Sequence, residues 1–394
     1  MKKVIFLFVI LLFVSCSKDD SPSLTINIVS VTPPNATISW TFNGADGQTR
    51  YRIFLDGELI EDAYSGNQYT FENIFNEIVY NGTVFAISEN GDETFEDFSF
   101  STQGSDIWYG DYRVGSQADI NGFDYAEITG TLVVWADDIT DLTGMSSLAR
   151  IGGLDIIGAN ALTSLDGISN VTFGPGYGGI VLRDCPNLSD VSGIANLASI
   201  TVSLRLQDLP LLNNLNGVGI TNDGSLYILD ISLSSLDHFQ EITRLKRLQL
   251  EGLPNLTTLS PLNLSGDMIY VNLRDLPNLT NLNGLNSVAV IDVLDLYDLG
   301  IPDLEGLDSL TSVHDVDIDD CNQLTNLDGT ILSNAFEIDN RRPRLRIRHN
   351  DVLTDFCGFT ALANSVDYGN FYQMGGNAYN PTEAQMESST ECSQ

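Results

Sequence analysis

From about Leu132 to Leu362 the chain rewrites one phrase roughly every 23 residues, and that period limits what it can fold into. One copy carries Leu154, Ile156, Leu162, Leu165, Gly167 and Ile168; another carries Val271, Leu273, Leu279, Leu282, Gly284 and Leu285. Aligned on the apolar residue two before the Gly, the copies fall at Leu142, Leu165, Val191, Leu215, Leu236, Leu259, Leu282, Leu304, Leu327 and Phe356. The spacings are 23, 26, 24, 21, 23, 23, 22, 23 and 29. A repeat of 20–29 residues is the mark of a solenoid with one strand per coil, because a single coil cannot bury its own apolar set. The alternating pairs Leu204/Leu206, Leu248/Leu250 and Val316/Ile318 read as the strands, with one face inward. The following turn carries Asn160, Asp184, Asp208, Asp275 or Asp320, whose side chains are expected to bond amides freed by the bend. The Gly that follows is expected where the backbone needs φ > 0.

Composition narrows the partners. With 53 acidic and 18 basic residues the net charge is −35, which disfavours nucleic acid and anionic membrane surfaces. Residues 4–14 form an apolar run behind Lys2 and Lys3, too short to span a bilayer and typical of a signal peptide. The run ends at Leu12, Phe13, Val14, Ser15 and Cys16, which resembles a bacterial lipobox. The resemblance implies cleavage after residue 15, lipidation of Cys16 and an outer-membrane anchor. The acidic Asp19 and Asp20 that follow are similar to signals that carry some lipoproteins to the cell exterior.

Residues 16–23 then make a lipidated tether. Residues 24–103 switch to strict alternation with turn signals such as Asp56-Gly57, which argues for a β-sandwich. Trp40 on the second strand, and Ile74 six before Tyr80, resemble the fibronectin type III pattern. The usual Pro of that corner is replaced by Asn76, and its integrin-binding tripeptide is absent. A spacer role is the expectation for this part. Residues 104–131 read as a linker and N-terminal cap, with Ile107, Trp108, Tyr109, Ile120 and Phe123 closing the open end of the stack. Residues 359–394 read as a C-terminal cap, whose last helix is expected to start at Asn380 as N-cap, with Pro381 first and Glu383 in a capping box.

The coils at about 110–392 resemble the receptor L-domain and related bacterial leucine-rich repeat surface proteins, whose coils read Leu-x-Leu…Asn-x-x-Leu-x-x-Leu-x-Gly-Leu. The fold expected is therefore all-β dominated: an N-terminal β-sandwich, then a right-handed, leucine-rich, L-domain-like parallel β solenoid over 132–358 with capping segments. Shortened turns at 228–236 and 294–304, and an insert at 330–343, depart from the pattern. Cys185 and Cys321 share an inward repeat position six coils apart, about 30 Å at the strand spacing, which is too far to bridge. Cys357 and Cys392 remain as the plausible disulfide.

Chemistry is scarce. The sequence holds no metal-binding, phosphate-binding or nucleophile motif, and neither a cofactor nor a catalytic residue is expected. His238, His314 and His349 lie in different coils at different repeat positions. The outward positions around the strand pairs are more telling. Seven of the chain's 18 basic residues stand there as Arg183, Arg205, Arg247, Arg274, Arg344, Arg346 and Arg348. Asp315, Asp317 and Asp319 should lie beside Arg344, Arg346 and Arg348 as a charge ladder worth a few tenths of a kcal/mol per pair. Arg205, Tyr227, Arg247, Gln249, Tyr270, Asn272, Arg274 and Tyr297 form a central patch of the types that favour contact. The function expected is non-catalytic binding of an extracellular protein or glycan. The alternatives are a β-helix enzyme acting on polysaccharide, against which the Leu-x-x-Leu-x-Gly spacing argues, and a purely structural envelope protein.

Overall fold

The computed structural model describes residues 21–394 apart from 175–177, 198–200, 217, 337, 339 and 340, so Cys16 and the leader lie outside the described residues. The chain divides into two compact units, 1–105 and 106–394. Among the described residues no helix is long and apolar enough to cross a membrane.

In the first unit, alternation produces seven antiparallel strands: Leu24–Thr32 (β1), Asn35–Phe42 (β2), Arg50–Leu55 (β3), Glu58–Tyr64 (β4), Gln68–Phe71 (β5), Val79–Ile87 (β6) and Glu93–Ser101 (β7). They form a three-stranded sheet, β1-β2-β5, and a four-stranded sheet, β4-β3-β6-β7. Inward residues of both sheets, among them Ile38, Trp40, Ile53 and Val84, share one core. Tyr80 Oη accepts the Phe75 amide at 2.8 Å, tying the turn before β6 to that strand.

The second unit is one parallel sheet of 15 strands. Its strands are Ile107–Trp108 (β8), Tyr112–Val114 (β9), Glu127–Val134 (β10), Arg150–Ile157 (β11), Thr172–Phe173 (β12), Gly178–Arg183 (β13), Thr201–Leu209 (β14) and Gly224–Ile231 (β15). They continue as Leu245–Glu251 (β16), Ser265–Leu276 (β17), Ser287–Leu299 (β18), Ser312–Asp319 (β19), Asn334–Ala335 (β20), Arg344–Arg348 (β21) and Tyr372–Gly375 (β22). Twelve of them follow one another side by side, and β9, β12 and β20 are second short segments paired with β10, β11 and β19. The aligned apolar positions, Leu142 through Phe356, are all buried in a single continuous core.

The sheet is longer than the repeat. It opens at Ile107, well before Leu132, and β22 extends it beyond residue 358, so both presumed caps contribute strands. Strands of two to four residues escape a periodicity argument because they carry too few inward residues. Ile120 and Phe123 are buried at the entry, where Phe123, Trp108, Tyr112 and Tyr125 pack edge to face. At the far end Cys357 and Cys392 are bonded, with Cα atoms 5.0 Å apart. The last helix, Glu383–Met386, starts two residues later than expected: Thr382, not Asn380, is its N-cap, in a capping box with Gln385.

Two turn expectations are also corrected. Asp184, Asp208, Asp275 and Asp320 do not hold amides; they sit at φ of 51 to 57° and end each strand in a left-handed step. The amide-binding role falls one residue before the aligned apolar position. There Asp141, Asp190, Asn214, Asn281, Asp303, Asn326 and Asp355 each accept the backbone N–H two residues on, at 2.8–3.1 Å. The repeat Gly is likewise not always a positive-φ residue. Gly284, Gly306 and Gly329 are, but at Gly167, Gly193 and Gly358 the demand is close approach. A Cβ on Gly167 would lie 2.0 Å from the Leu142 carbonyl of the preceding coil.

Cys185 and Cys321 are buried free thiols, and burial pushes the Cys321 thiol up to about 12 and the Cys185 thiol in the same direction. A thiol that remains protonated is neither nucleophile nor ligand. Neither should react with iodoacetamide in the native protein, and both should react in urea; native-state labelling counted by mass spectrometry would overturn that placement.

Candidate functional site

Strand register, not sequence distance, assembles the central patch. Arg205, Tyr227, Gln249 and Asn272 are successive cross-strand partners in one outward row, which continues through Asp295 and Asp317 to Arg346. A second row holds Ser203, Ser225, Arg247, Tyr270, Val293, Asp315 and Arg344. A third holds Arg183, Gln207, Leu229, Glu251, Arg274, Tyr297, Asp319 and Arg348. All eight expected residues therefore share one face, within five consecutive strands. Arg247 is exposed and the others are half-buried.

These side chains support one another. The Arg205 guanidinium lies 5.7 Å from the Tyr227 ring centre, and the Arg274 guanidinium 4.3 Å from that of Tyr297. Gln207 Oε1 accepts from Arg205 Nε and Nη2 at 3.0 and 2.9 Å. Asn272 Nδ2 donates to Tyr270 Oη at 2.6 Å, and burial raises the Tyr270 phenol above its ordinary value. Asp295, next in the row, has its carboxyl raised by burial, against the pull of Arg344 and Arg346. Asn272, Arg274, Asp295, Tyr297, Arg346 and His349 help to line a cavity of about 450 Å³ at this end of the face.

The Arg ladder lies in the expected register, but its burial is greater than expected. Asp317 and Asp319 are each only 7% exposed. Arg346 Nε donates to Asp317 Oδ1 at 2.7 Å, with Nη2 on Oδ2, and Arg348 Nη2 donates to Asp319 Oδ2 at 2.6 Å. Arg344 Nη2 stands 3.6 Å from Asp315. His349 Nδ1 reaches Asp319 Oδ1 at 2.7 Å. Asp319, Asp320 and His349 bring ligand-type atoms within 4.8 Å of one another, but both Asp319 oxygens are already engaged.

Two features of this face were not read from the sequence. Trp135, 60% exposed, follows β10 at the N-terminal end of the sheet; counting one residue past the Leu132/Val134 pair would have found it. The second is that Asp230 and Asp298 join the turn residues Asp184, Asp208, Asp275 and Asp320 in a column of left-handed strand ends. Burial, then Asp275 and Asp320, raises the Asp298 carboxyl; burial, then Asp208, Glu251 and Asp275, raises that of Asp230. A carboxyl raised by folding favours the fold when protonated, and that contribution is lost as pH rises through the folded value. Asp298→Asn should therefore raise the melting temperature at neutral pH, since Asn tolerates φ of 49° and removes the repulsion. The gain should shrink as pH falls below the ordinary carboxylate range. A calorimetric gain independent of pH would refute the repulsion.

A larger hollow, about 910 Å³, lies on the first unit near Phe54, Asp56, Asn81, Thr83 and Asp97. Two of its carboxylates already accept hydrogen bonds: Asp56 from the Asn81 backbone N–H at 2.9 Å, and Asp97 from Thr83 Oγ1 at 2.7 Å. The sheet face of the second unit is the better candidate. No family model matches the chain, and no curated protein matches it in sequence.

Proposed function

We propose that the protein is a lipid-anchored surface protein that binds an extracellular partner, protein or glycan, through the outward sheet face of a leucine-rich, L-domain-like solenoid, without turnover. The carrying observation is the ordered array of Arg, Tyr, Gln and Asn on that face, with two guanidiniums laid on tyrosine rings. Aromatic and Arg side chains held in place lose little freedom on binding and are the types that dominate interface energetics. The first unit, read as a fibronectin type III-like spacer, would set this face off from the membrane.

The test is a pull-down of glycans and surface proteins by the immobilised full-length chain, with a reducing-end assay on any glycan retained. Retention without new reducing ends is expected. Tyr227→Ala combined with Tyr297→Ala should leave the circular dichroism unchanged and weaken binding by about tenfold or more, which is ~1.4 kcal/mol. Unaltered affinity in the double variant would remove this face from the reading, and new reducing ends would replace the binder with an enzyme.

A further inference from the structure

The ladder provides an internal standard for the central patch. At β21 the chain pairs three arginines with three aspartates in register. At the centre it does not: among the described residues Arg205, Arg247 and Arg274 make no ion pair, although acids outnumber bases 53 to 18 along the chain. Arg205 rests on Tyr227 and Gln207, and Arg274 on Tyr297. The register neighbour of Arg274 is Glu251, which instead accepts from Gln249 Nε2 at 3.1 Å. Arg205 and Arg274, held by neutral groups, keep their charge, with the Nη1 side of Arg205 left for an anion, and Arg247 stands exposed. Arg247 lies two strands and two residues from Arg205, about 12 Å away, and Arg274 lies one strand further and four residues along. Anions meeting all three must be spaced along an extended ligand.

We propose that this face takes a carboxylate-bearing polysaccharide, a polymer of uronic-acid type, with its acid groups on Arg205, Arg247 and Arg274. The inference rests on the binding reading above and names its ligand. Between the three arginines the outward positions include Ser203, Ser225, Gln207, Gln249, Asn272, Tyr227 and Tyr270, with Leu229 and one acid, Glu251, which is engaged by Gln249. Such groups match the hydroxyls of a sugar chain, whereas the centre of a protein interface is more apolar. The acidic column along the strand ends repels a polyanion from that edge and confines it to the arginine rows.

The decisive measurement is calorimetric titration of the full-length protein with four probes: oligogalacturonate, the same oligomer fully methyl-esterified, poly-glutamate and a neutral dextran. Binding of the first alone is expected. Arg205→Gln, Arg247→Gln and Arg274→Gln should each weaken it about tenfold or more, while Arg344→Gln, whose guanidinium already faces Asp315, should not. Equal binding of the esterified oligomer, or full affinity in the triple Gln variant with unchanged circular dichroism, overturns the proposal. Binding of poly-glutamate without oligogalacturonate overturns it in favour of an acidic protein partner. If none of the four binds, but another ligand is lost with Tyr227 and Tyr297, the carboxylate inference falls and the binding reading stands.

Discussion

Leu250→Asp should abolish the cooperative unfolding transition of the second unit while leaving that of the β-sandwich formed by β1 to β7 in place. Leu250 is fully buried, and its register neighbours Ile228 and Leu273 are fully buried too, so an introduced carboxylate has no water and no cation to meet. Truncating a leucine in such a core costs about 2–5 kcal/mol, and an unpaired buried charge costs several more. That is comparable to the whole stability of a typical domain, about 5–15 kcal/mol. A solenoid is vulnerable for a further reason. Each coil is stabilised by contact with its neighbours, so a defect in the middle removes two interfaces at once. Differential scanning calorimetry of the wild type and variant resolves the question. A variant whose larger transition survives within a few degrees would mean that Leu250 does not belong to a continuous core.

Asp317→Ala should cost about 2–3 kcal/mol, far above the few tenths that the sequence alone suggests for a surface pair. The Asp317 side chain is 10% exposed and held by two donors of Arg346. Removing it leaves that guanidinium facing Arg344 and Arg348 without its counter-charge. The estimate sits below the 3–5 kcal/mol of a fully buried pair because the Arg346 side chain is 29% exposed and partly hydrated. Urea unfolding of Asp317→Ala, Arg346→Met and the double variant forms a thermodynamic cycle. The double variant should recover part of the loss, since no charge is then stranded. A cost below about 0.5 kcal/mol for Asp317→Ala would return the ladder to the class of solvated surface pairs.

Local chemistry was legible where a residue type can do only one thing. Leucines at a fixed period must be buried together, so the aligned series from Leu142 to Phe356 marked the core. The charge ladder was legible because register follows once the inward pairs are aligned. Turn roles were less legible, because Asp serves two ends. At Asp141 or Asp190 it accepts an amide, and at Asp208 or Asp275 it occupies a left-handed step. Composition does not separate these uses.

The amino-acid sequence by itself determined that successive coils must stack and which side chains line their interior, since apolar periodicity has no other stable solution in water. Only the tertiary structure decided how deeply Asp317 is buried, why Gly167 can carry no side chain, and which arginines go without a carboxylate. Those properties depend on distances between residues of different coils, and such distances exist only after the chain has wound.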